Sequence, residues 1–117
     1  MPARAVQKLR MMVLTSDKVR ILLIRPWTEP LAPFRAALRD AGIETRITRV
    51  DIEPALNAAL SRGRFDVVVF DPKTSDISRE LLEVRLRENP QRTPVVVFKT
   101  LDVAIEQLKH ALAARLN

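Results

Sequence analysis

The fold is decided by one stretch, Phe65-Asp-Val-Val-Val-Phe-Asp71, which is closed by Pro72. The centre of this stretch is continuously apolar. An apolar run bounded by a turn signal is typical of a strand that is buried on both faces, as in a parallel sheet covered by helices. The stretch therefore predicts a central strand of an α/β protein.

Short apolar runs alternate with amphipathic segments on both sides of this strand. The pattern predicts strands at residues 19–25, 43–50, 65–71 and 93–98, and helices at about 28–41, 51–62, 79–88 and 102–115. Thr28, Asp51 and Ser78 are the predicted N-caps, and Gly42 and Gly63 follow the first two helices. Strands joined by helices imply right-handed crossovers. We therefore expect a doubly wound, mostly parallel sheet with strand order 2-1-3-4.

Composition is that of a single globular domain. The 117 residues divide into a basic N-terminal segment, residues 1–18, and an α/β domain, residues 19–117. The chain has no cysteine for thiol chemistry, and its two glycines are too few for a phosphate-binding loop. The single histidine, His110, has no catalytic partner at a suggestive spacing.

No apolar run reaches the roughly 18–20 residues of a membrane span, and no signal-peptide pattern precedes Asp17. We expect a cytoplasmic protein that needs no cofactor and is not an enzyme.

The net charge of +6 is concentrated at the start of the chain. Residues 1–20 carry +4, which leaves +2 for all the others. A nucleic-acid surface usually combines a dense basic patch with aromatic or helix-borne base contacts, and this chain has one Trp, four Phe and no Tyr. Nucleic-acid binding is therefore not expected, although a DNA-associated protein that uses the basic N-terminal segment remains an alternative.

The predicted functional face lies at the carboxyl ends of the strands, where doubly wound sheets bind their ligands. The residues expected at this strand-end face are Arg25, Trp27, Asp71, Lys99 and Thr100. Trp27 has two interpretations, since it either covers the top of the sheet or is exposed there as an anchor for a protein partner.

Several segments in order resemble the receiver domain of bacterial response regulators of the chemotaxis-regulator type. The resemblance covers residues 18–109. It is carried by residues 19–24, 34–43, 62–72, 78–83 and 93–98. It implies a flavodoxin-like fold, and it places Asp71 where receivers accept a phosphoryl group from a histidine kinase. It also implies Mg²⁺, which an acidic pair after the first strand holds in that family.

The chain departs from the receiver pattern at most of the remaining site. Arg25, Pro26 and Trp27 occupy the positions of the acidic pair, and none of them offers a side-chain oxygen to a hard cation. The family's hydroxyl residue after the fourth strand falls at Lys99, with Thr100 one place late. In a second alignment Lys99 matches the family's lysine, and one strand–helix unit is missing upstream. We therefore expect no bound metal, and an Asp71 side chain that pairs with Arg25 or Lys99.

These features together predict a shortened pseudo-receiver. Our leading hypothesis is a phosphorylation-independent signalling adaptor that binds a protein partner or itself as a homodimer. The first alternative is a phosphoacceptor receiver with an altered site that uses Asp71, and the second is the DNA-associated protein named above.

An unpaired strand edge is the second predicted interaction surface. The fourth strand is strongly apolar, and the chain has no fifth strand after it. Exposed apolar edges favour pairing with another strand. We predict that Met11–Thr15 either replaces the fifth strand within the monomer or pairs across a dimer, and the alternative is a leader peptide. The residues of this interaction edge are Met12, Val13, Val95 and Val97.

Overall fold

The computed structural model describes residues 18–88 and 92–116. Four strands alternate with four helices along these residues. In chain order they are β1 (Val19–Ile24), α1 (Ala32–Asp40), β2 (Thr45–Val50), α2 (Glu53–Arg62), β3 (Val67–Phe70), α3 (Arg79–Glu88), β4 (Val95–Val97) and α4 (Leu101–Leu116). The predicted alternation is therefore confirmed, although β3 and β4 are shorter than the sequence pattern suggested.

The strands form one all-parallel sheet with the order β2-β1-β3-β4. This is the predicted order 2-1-3-4, and the architecture is that of a flavodoxin-like α/β fold. The register sets Ile24 beside both Val50 and Phe70. Because these residues end their strands, the loops that follow β1, β2 and β3 meet at one edge of the sheet.

Two apolar layers cover the sheet. The odd-numbered β1 residues Ile21 and Leu23 pack in one core with α1 and α4, and the even-numbered Leu22 and Ile24 pack in the other with α2 and α3. This division follows from the alternation of side chains along a strand. All four β3 residues are buried, as the continuous apolar run predicted for a strand covered on both faces.

The helix boundaries show where the capping predictions succeed and fail. Ser78 caps α3 as expected, because its Oγ accepts the N–H of Leu81 at 3.0 Å. The prediction for Thr28 is wrong, since residues 26–29 form a turn and α1 begins at Ala32. The prediction for Asp51 is also wrong, because Ile52 occupies the N-cap position of α2.

Gly42 ends the turn after α1 with a φ of +77°. Side chains disfavour this left-handed conformation, which glycine adopts without penalty. The Ile43 N–H donates to the Leu38 carbonyl at 2.9 Å and so satisfies a free carbonyl at the helix end. The predicted helix-ending role of Gly42 is confirmed.

The proposed extra strand at Met11–Thr15, with its edge residues Met12 and Val13, lies outside the described residues. Among the helices of the described residues, none is long and apolar enough to cross a membrane.

Candidate functional site

The carboxyl ends of β1 and β3 bring Arg25 and Asp71 together. The parallel ladder continues one residue beyond each strand, because the Arg25 N–H donates to the Val50 carbonyl at 3.1 Å and the Asp71 N–H donates to the Ile24 carbonyl at 2.8 Å. Both side chains are therefore held by backbone that belongs to the sheet. A site built on strand ends is positioned more tightly than one built on a free loop.

Asp71 is buried, and each of its two carboxylate oxygens accepts a hydrogen bond. Its residue is 2% exposed. Its Oδ2 accepts the Nε–H of Arg25 at 3.1 Å, and its Oδ1 accepts the backbone N–H of Lys73 at 2.9 Å. The Asp71 carbonyl accepts the N–H of Thr74 at 3.0 Å, which tightens the same turn. Of the two predicted partners, Arg25 rather than Lys99 forms the ion pair.

Arg25 connects Asp71 to the rest of the corner. Its side chain is 11% exposed, and its Nη2 donates to Glu29 Oε1 at 3.2 Å. Its guanidinium carbon lies 4.3 Å from the centroid of the Phe98 ring, within the range of a favourable cation–π contact. Lys73 Nζ lies 3.8 Å from the same Glu29 oxygen. One guanidinium thus joins two carboxylates and an aromatic ring, in a corner largely closed to water.

The corner does not fit the Mg²⁺ that the receiver resemblance implies. Mg²⁺ requires oxygen ligands in near-octahedral arrangement. The residues after β1 present a guanidinium, a proline ring and an indole instead, and the carboxylates of Asp71 and Glu29 are already bound to Arg25. No group of three or more potential metal ligands is found within residues 18–88 and 92–116. The described residues of this corner therefore offer no oxygen ligand set for the Mg²⁺ that the resemblance implies, and Arg25 is the cation that pairs with Asp71.

Trp27 projects from the same edge into solvent. Trp27 as a residue is 63% exposed, so its side chain does not cover the top of the sheet. Its backbone N–H donates to Asp51 Oδ2 at 3.3 Å. The guanidinium carbon of Arg49 lies 4.8 Å from the ring centroid. The ring is therefore exposed and also held in place from one side.

Arg49 at the end of β2 supports the loop that carries Trp27. Its Nη2 donates to the Pro26 carbonyl and, at 2.6 Å, to the Glu29 carbonyl. Burial lowers the pKa of Arg49, and the nearby positive charge of Arg25 lowers it further, while Asp51 and Glu29 act in the opposite direction. Its Nε is buried without a hydrogen-bond partner among the described residues. The loop from β1 to α1 is thus fastened to β2 by a second arginine.

Lys99 and Thr100 lie at the predicted edge but take no part in the Asp71 network. Both residues are exposed. Thr100 Oγ1 accepts the N–H of Val103 at 3.3 Å and so caps α4. His110 is exposed on α4. The strand-end face therefore consists of a closed corner around Asp71 and an exposed part around Trp27.

Sequence reasoning missed the roles of Glu29, Arg49 and Phe98. No local pattern pairs Arg25 with Glu29, because the sequence places Arg25 at the end of a strand and Glu29 in the first turn of a helix, whereas a turn at residues 26–29 brings the two side chains together. Arg49 was hidden in a polar strand, and its contact with Trp27 follows only from the strand order. Phe98 is predicted only as the last residue of a strand, and its ring packs under Arg25 and lies edge-on to Phe34 at 6.2 Å between centroids.

Fold and site together define a flavodoxin-like α/β protein whose strand-end corner is filled by an arginine–carboxylate network. No protein-family model matches the chain, and a search of curated proteins finds no significant match. The receiver resemblance of residues 18–109 therefore stays a prediction. The observed strand order agrees with it, whereas Arg25, Pro26 and Trp27 stand where it implies an acidic pair.

Proposed function

We propose that this chain is a phosphorylation-independent, receiver-like domain that works as a protein-interaction module. The observation that carries the proposal is the state of Asp71, which is 2% exposed and has both carboxylate oxygens hydrogen-bonded. A phosphoacceptor carboxylate needs an oxygen that the incoming phosphorus can reach. The Asp71 carboxylate is buried, and each of its oxygens also accepts a hydrogen bond, from Arg25 or from the Lys73 N–H.

Electrostatics argue in the same direction. Transfer of a phosphoryl group to a carboxylate brings like charges together, and a divalent cation normally offsets their repulsion. The Arg25 charge is already shared between Asp71 and Glu29. A phosphoryl group would also have to displace the guanidinium from its position against Phe98. The corner is therefore better suited to holding the ends of β1 and β3 together than to accepting a phosphoryl group.

The surface that we assign to partner binding is the exposed part of the strand-end face, around Trp27. Tryptophan and arginine are enriched among the residues that dominate protein interfaces. Trp27 is 63% exposed and contacts Arg49, whose guanidinium is fixed by two backbone carbonyls. An anchor held in position before binding loses less conformational freedom on association. Lys73 follows β3 at the same edge, with its side chain 71% exposed and its Nζ 3.8 Å from Glu29 Oε1. We expect the partner to present an apolar pocket to Trp27 and an acidic residue to Lys73.

Incubation with acetyl phosphate and Mg²⁺ tests the loss of phosphoacceptor chemistry. We expect the intact mass to stay unchanged, because the Asp71 carboxylate is buried and paired with Arg25 and the acidic pair is absent. The Asp71→Asn variant is the matched control. A gain of one phosphoryl group in the unmodified chain that the control lacks would contradict the proposal and favour the phosphoacceptor alternative.

Replacement of Trp27 tests the interaction face. Trp27→Ala should leave the free energy of unfolding within about 0.5–1 kcal/mol, because the side chain is mostly exposed, but it should abolish partner capture. Val84→Ala is a suitable control, since Val84 is 37% exposed on α3, away from the strand-end face. Proteins from the source cells should be enriched on the unmodified chain and on Val84→Ala, and lost on Trp27→Ala. Equal capture by all three would exclude Trp27 as the anchor.

The DNA-associated alternative depends on residues 1–18, nearly all of which lie outside the described residues. It predicts salt-dependent binding to duplex DNA that is lost when this segment is deleted. Nothing in the described residues favours it over the interaction module, and it stays a prediction.

A further inference from the structure

A groove with a volume of about 370 Å³ lies between the edge strand β2 and helix α2. Ligand pockets in proteins generally have volumes of roughly 300–1,000 Å³. Thr48 and Val50 line this β2–α2 groove from the strand, and Ala55 and Ala59 line it from one face of the helix. Its inner wall is apolar, since Val50 and Phe65 are buried there. The short alanine side chains of α2 leave the space between the helix and the strand open.

Two arginines line the same end of the β2–α2 groove. Arg20 comes from the start of β1, and Arg62 comes from the last turn of α2. Both residues are exposed. Neither guanidinium forms an ion pair with a carboxylate of residues 18–88 and 92–116. An anion can therefore bind to them without displacing a carboxylate, in contrast to Arg25 in the Asp71 corner.

Gly63 keeps the space beside Arg20 open. Its φ of −139° and ψ of 169° are extended backbone angles that any residue adopts, so the end of α2 does not require glycine for its conformation. A Cβ atom at Gly63 would lie 3.4 Å from Arg20 Nη2 and 3.7 Å from Phe65 Cζ. A methyl group fits at these distances, whereas a longer side chain would enter the space where the guanidinium and the ring border the groove.

Positive charge predominates at this end of the groove. The segments that meet here, residues 18–20, 44–46 and 62–66, contain five basic and two acidic residues, namely Lys18, Arg20, Arg46, Arg62 and Arg64 against Glu44 and Asp66. Asp66 Oδ2 accepts the backbone N–H of Arg20 at 2.8 Å. The Ala59 carbonyl, in the last turn of α2, accepts the N–H of Gly63 at 3.1 Å. These two acceptors are therefore already engaged, and the charge balance favours an anionic ligand.

We propose that the β2–α2 groove binds a small phosphate monoester with an apolar body, of which an aryl phosphate is the simplest form. The phosphate binds between Arg20 and Arg62, because the planar donors of guanidinium groups match phosphate oxygens and two positive charges balance a dianion. The apolar body lies along Val50 and Ala55, towards the other end of the groove. The site is separate from the proposed partner face, since Trp27 follows the carboxyl end of β1.

Isothermal titration calorimetry of the full chain with phenyl phosphate tests the anion site. We expect one site per chain, and Arg20→Gln and Arg62→Gln should each weaken binding about tenfold or more, because each removes charge-assisted hydrogen bonds. Arg35→Gln is the matched control, since Arg35 is exposed on α1, which packs on the opposite face of the sheet. It should leave the affinity unchanged, as should Trp27→Ala. No binding at millimolar phenyl phosphate, or equal weakening by Arg35→Gln, would overturn the proposal.

A second set of titrations tests the apolar part of the site. Inorganic phosphate should bind at least about tenfold more weakly than phenyl phosphate, because it leaves the apolar wall of the groove exposed to water. Gly63→Leu changes no charge but fills the groove beside Arg20, so it should abolish binding, whereas Gly63→Ala should keep most of it. In NMR spectra, phenyl phosphate should shift the amide signals of Ala59 and Gly63 and leave that of Lys73 in place. Equal affinity for the two phosphates, or unchanged binding to a folded Gly63→Leu variant, would show that the groove is not the site.

Discussion

Replacing Arg25 by methionine should lower the free energy of unfolding by about 3–5 kcal/mol. The change leaves the Asp71 carboxylate, whose side chain is 3% exposed, with the Lys73 N–H as its remaining hydrogen-bond donor. A buried charge that loses its partner keeps the cost of desolvation and loses the attraction that offset it. The methionine also gives up the cation–π contact with Phe98. Urea denaturation measures the difference.

Arg79→Met is the matched control for this substitution. Arg79 forms an i, i+4 ion pair with Glu83, but the two side chains are 54% and 49% exposed. Exposed pairs of this kind contribute about 0.3–0.5 kcal/mol. If Arg25→Met costs no more than Arg79→Met, the corner is not held together by the buried pair.

The double variant Arg25→Met with Asp71→Asn separates the ion pair from the other contacts of each residue. Asparagine retains an oxygen that accepts the Lys73 N–H while it removes the negative charge. We expect the double variant to lose clearly less stability than the sum of the two single losses, because no unpaired charge is left buried. Strict additivity would show that the two side chains act separately.

The sheet could be predicted from the sequence because its signals are local and consistent. The continuous apolar run from Val67 to Phe70 indicated a central strand, and the alternation of strands with helices indicated a parallel sheet. Helix ends were predicted where a single residue dictates the backbone, as at Gly42 with its positive φ and at Ser78 with its capping hydroxyl. The start of α1 was predicted wrongly because Thr28, Glu29 and Pro30 suit a turn as well as a helix start.

The site was predictable only in part, because its contacts join residues that are distant in the chain. The pairing of Asp71 with Arg25 followed from the strand order, since both residues end neighbouring strands. The guanidinium of Arg49 beneath Trp27 depends on the path of the loop after β1, and no local pattern specifies that path. The exposure of Trp27 likewise depends on how the loop is fastened, and the sequence left both interpretations open.

The role of Ile77 could not be predicted from the sequence. The predicted strand ends at Asp71 and the next helix begins after Ser78, so the pattern assigns no role to Ile77, which is fully buried in the core that contains Leu82 and Phe70. The same short loop carries the Lys73 N–H that binds Asp71 and the buried side chain of Thr74. A single apolar side chain in a polar segment therefore anchors the backbone on which the corner depends.

Ile77→Ala should accordingly lower the free energy of unfolding by about 2–5 kcal/mol, as expected for truncation of a buried isoleucine. Ile52→Ala removes the same atoms from a residue that is 43% exposed, and it should cost no more than about 1 kcal/mol. Thermal or urea denaturation of both variants measures the contrast. Hydrogen exchange at the Lys73 and Thr74 amides adds a local readout, because loss of the anchor should lower their protection while the amides of β1 stay protected. If both substitutions cost the same and those two amides keep their protection, Ile77 does not anchor the loop.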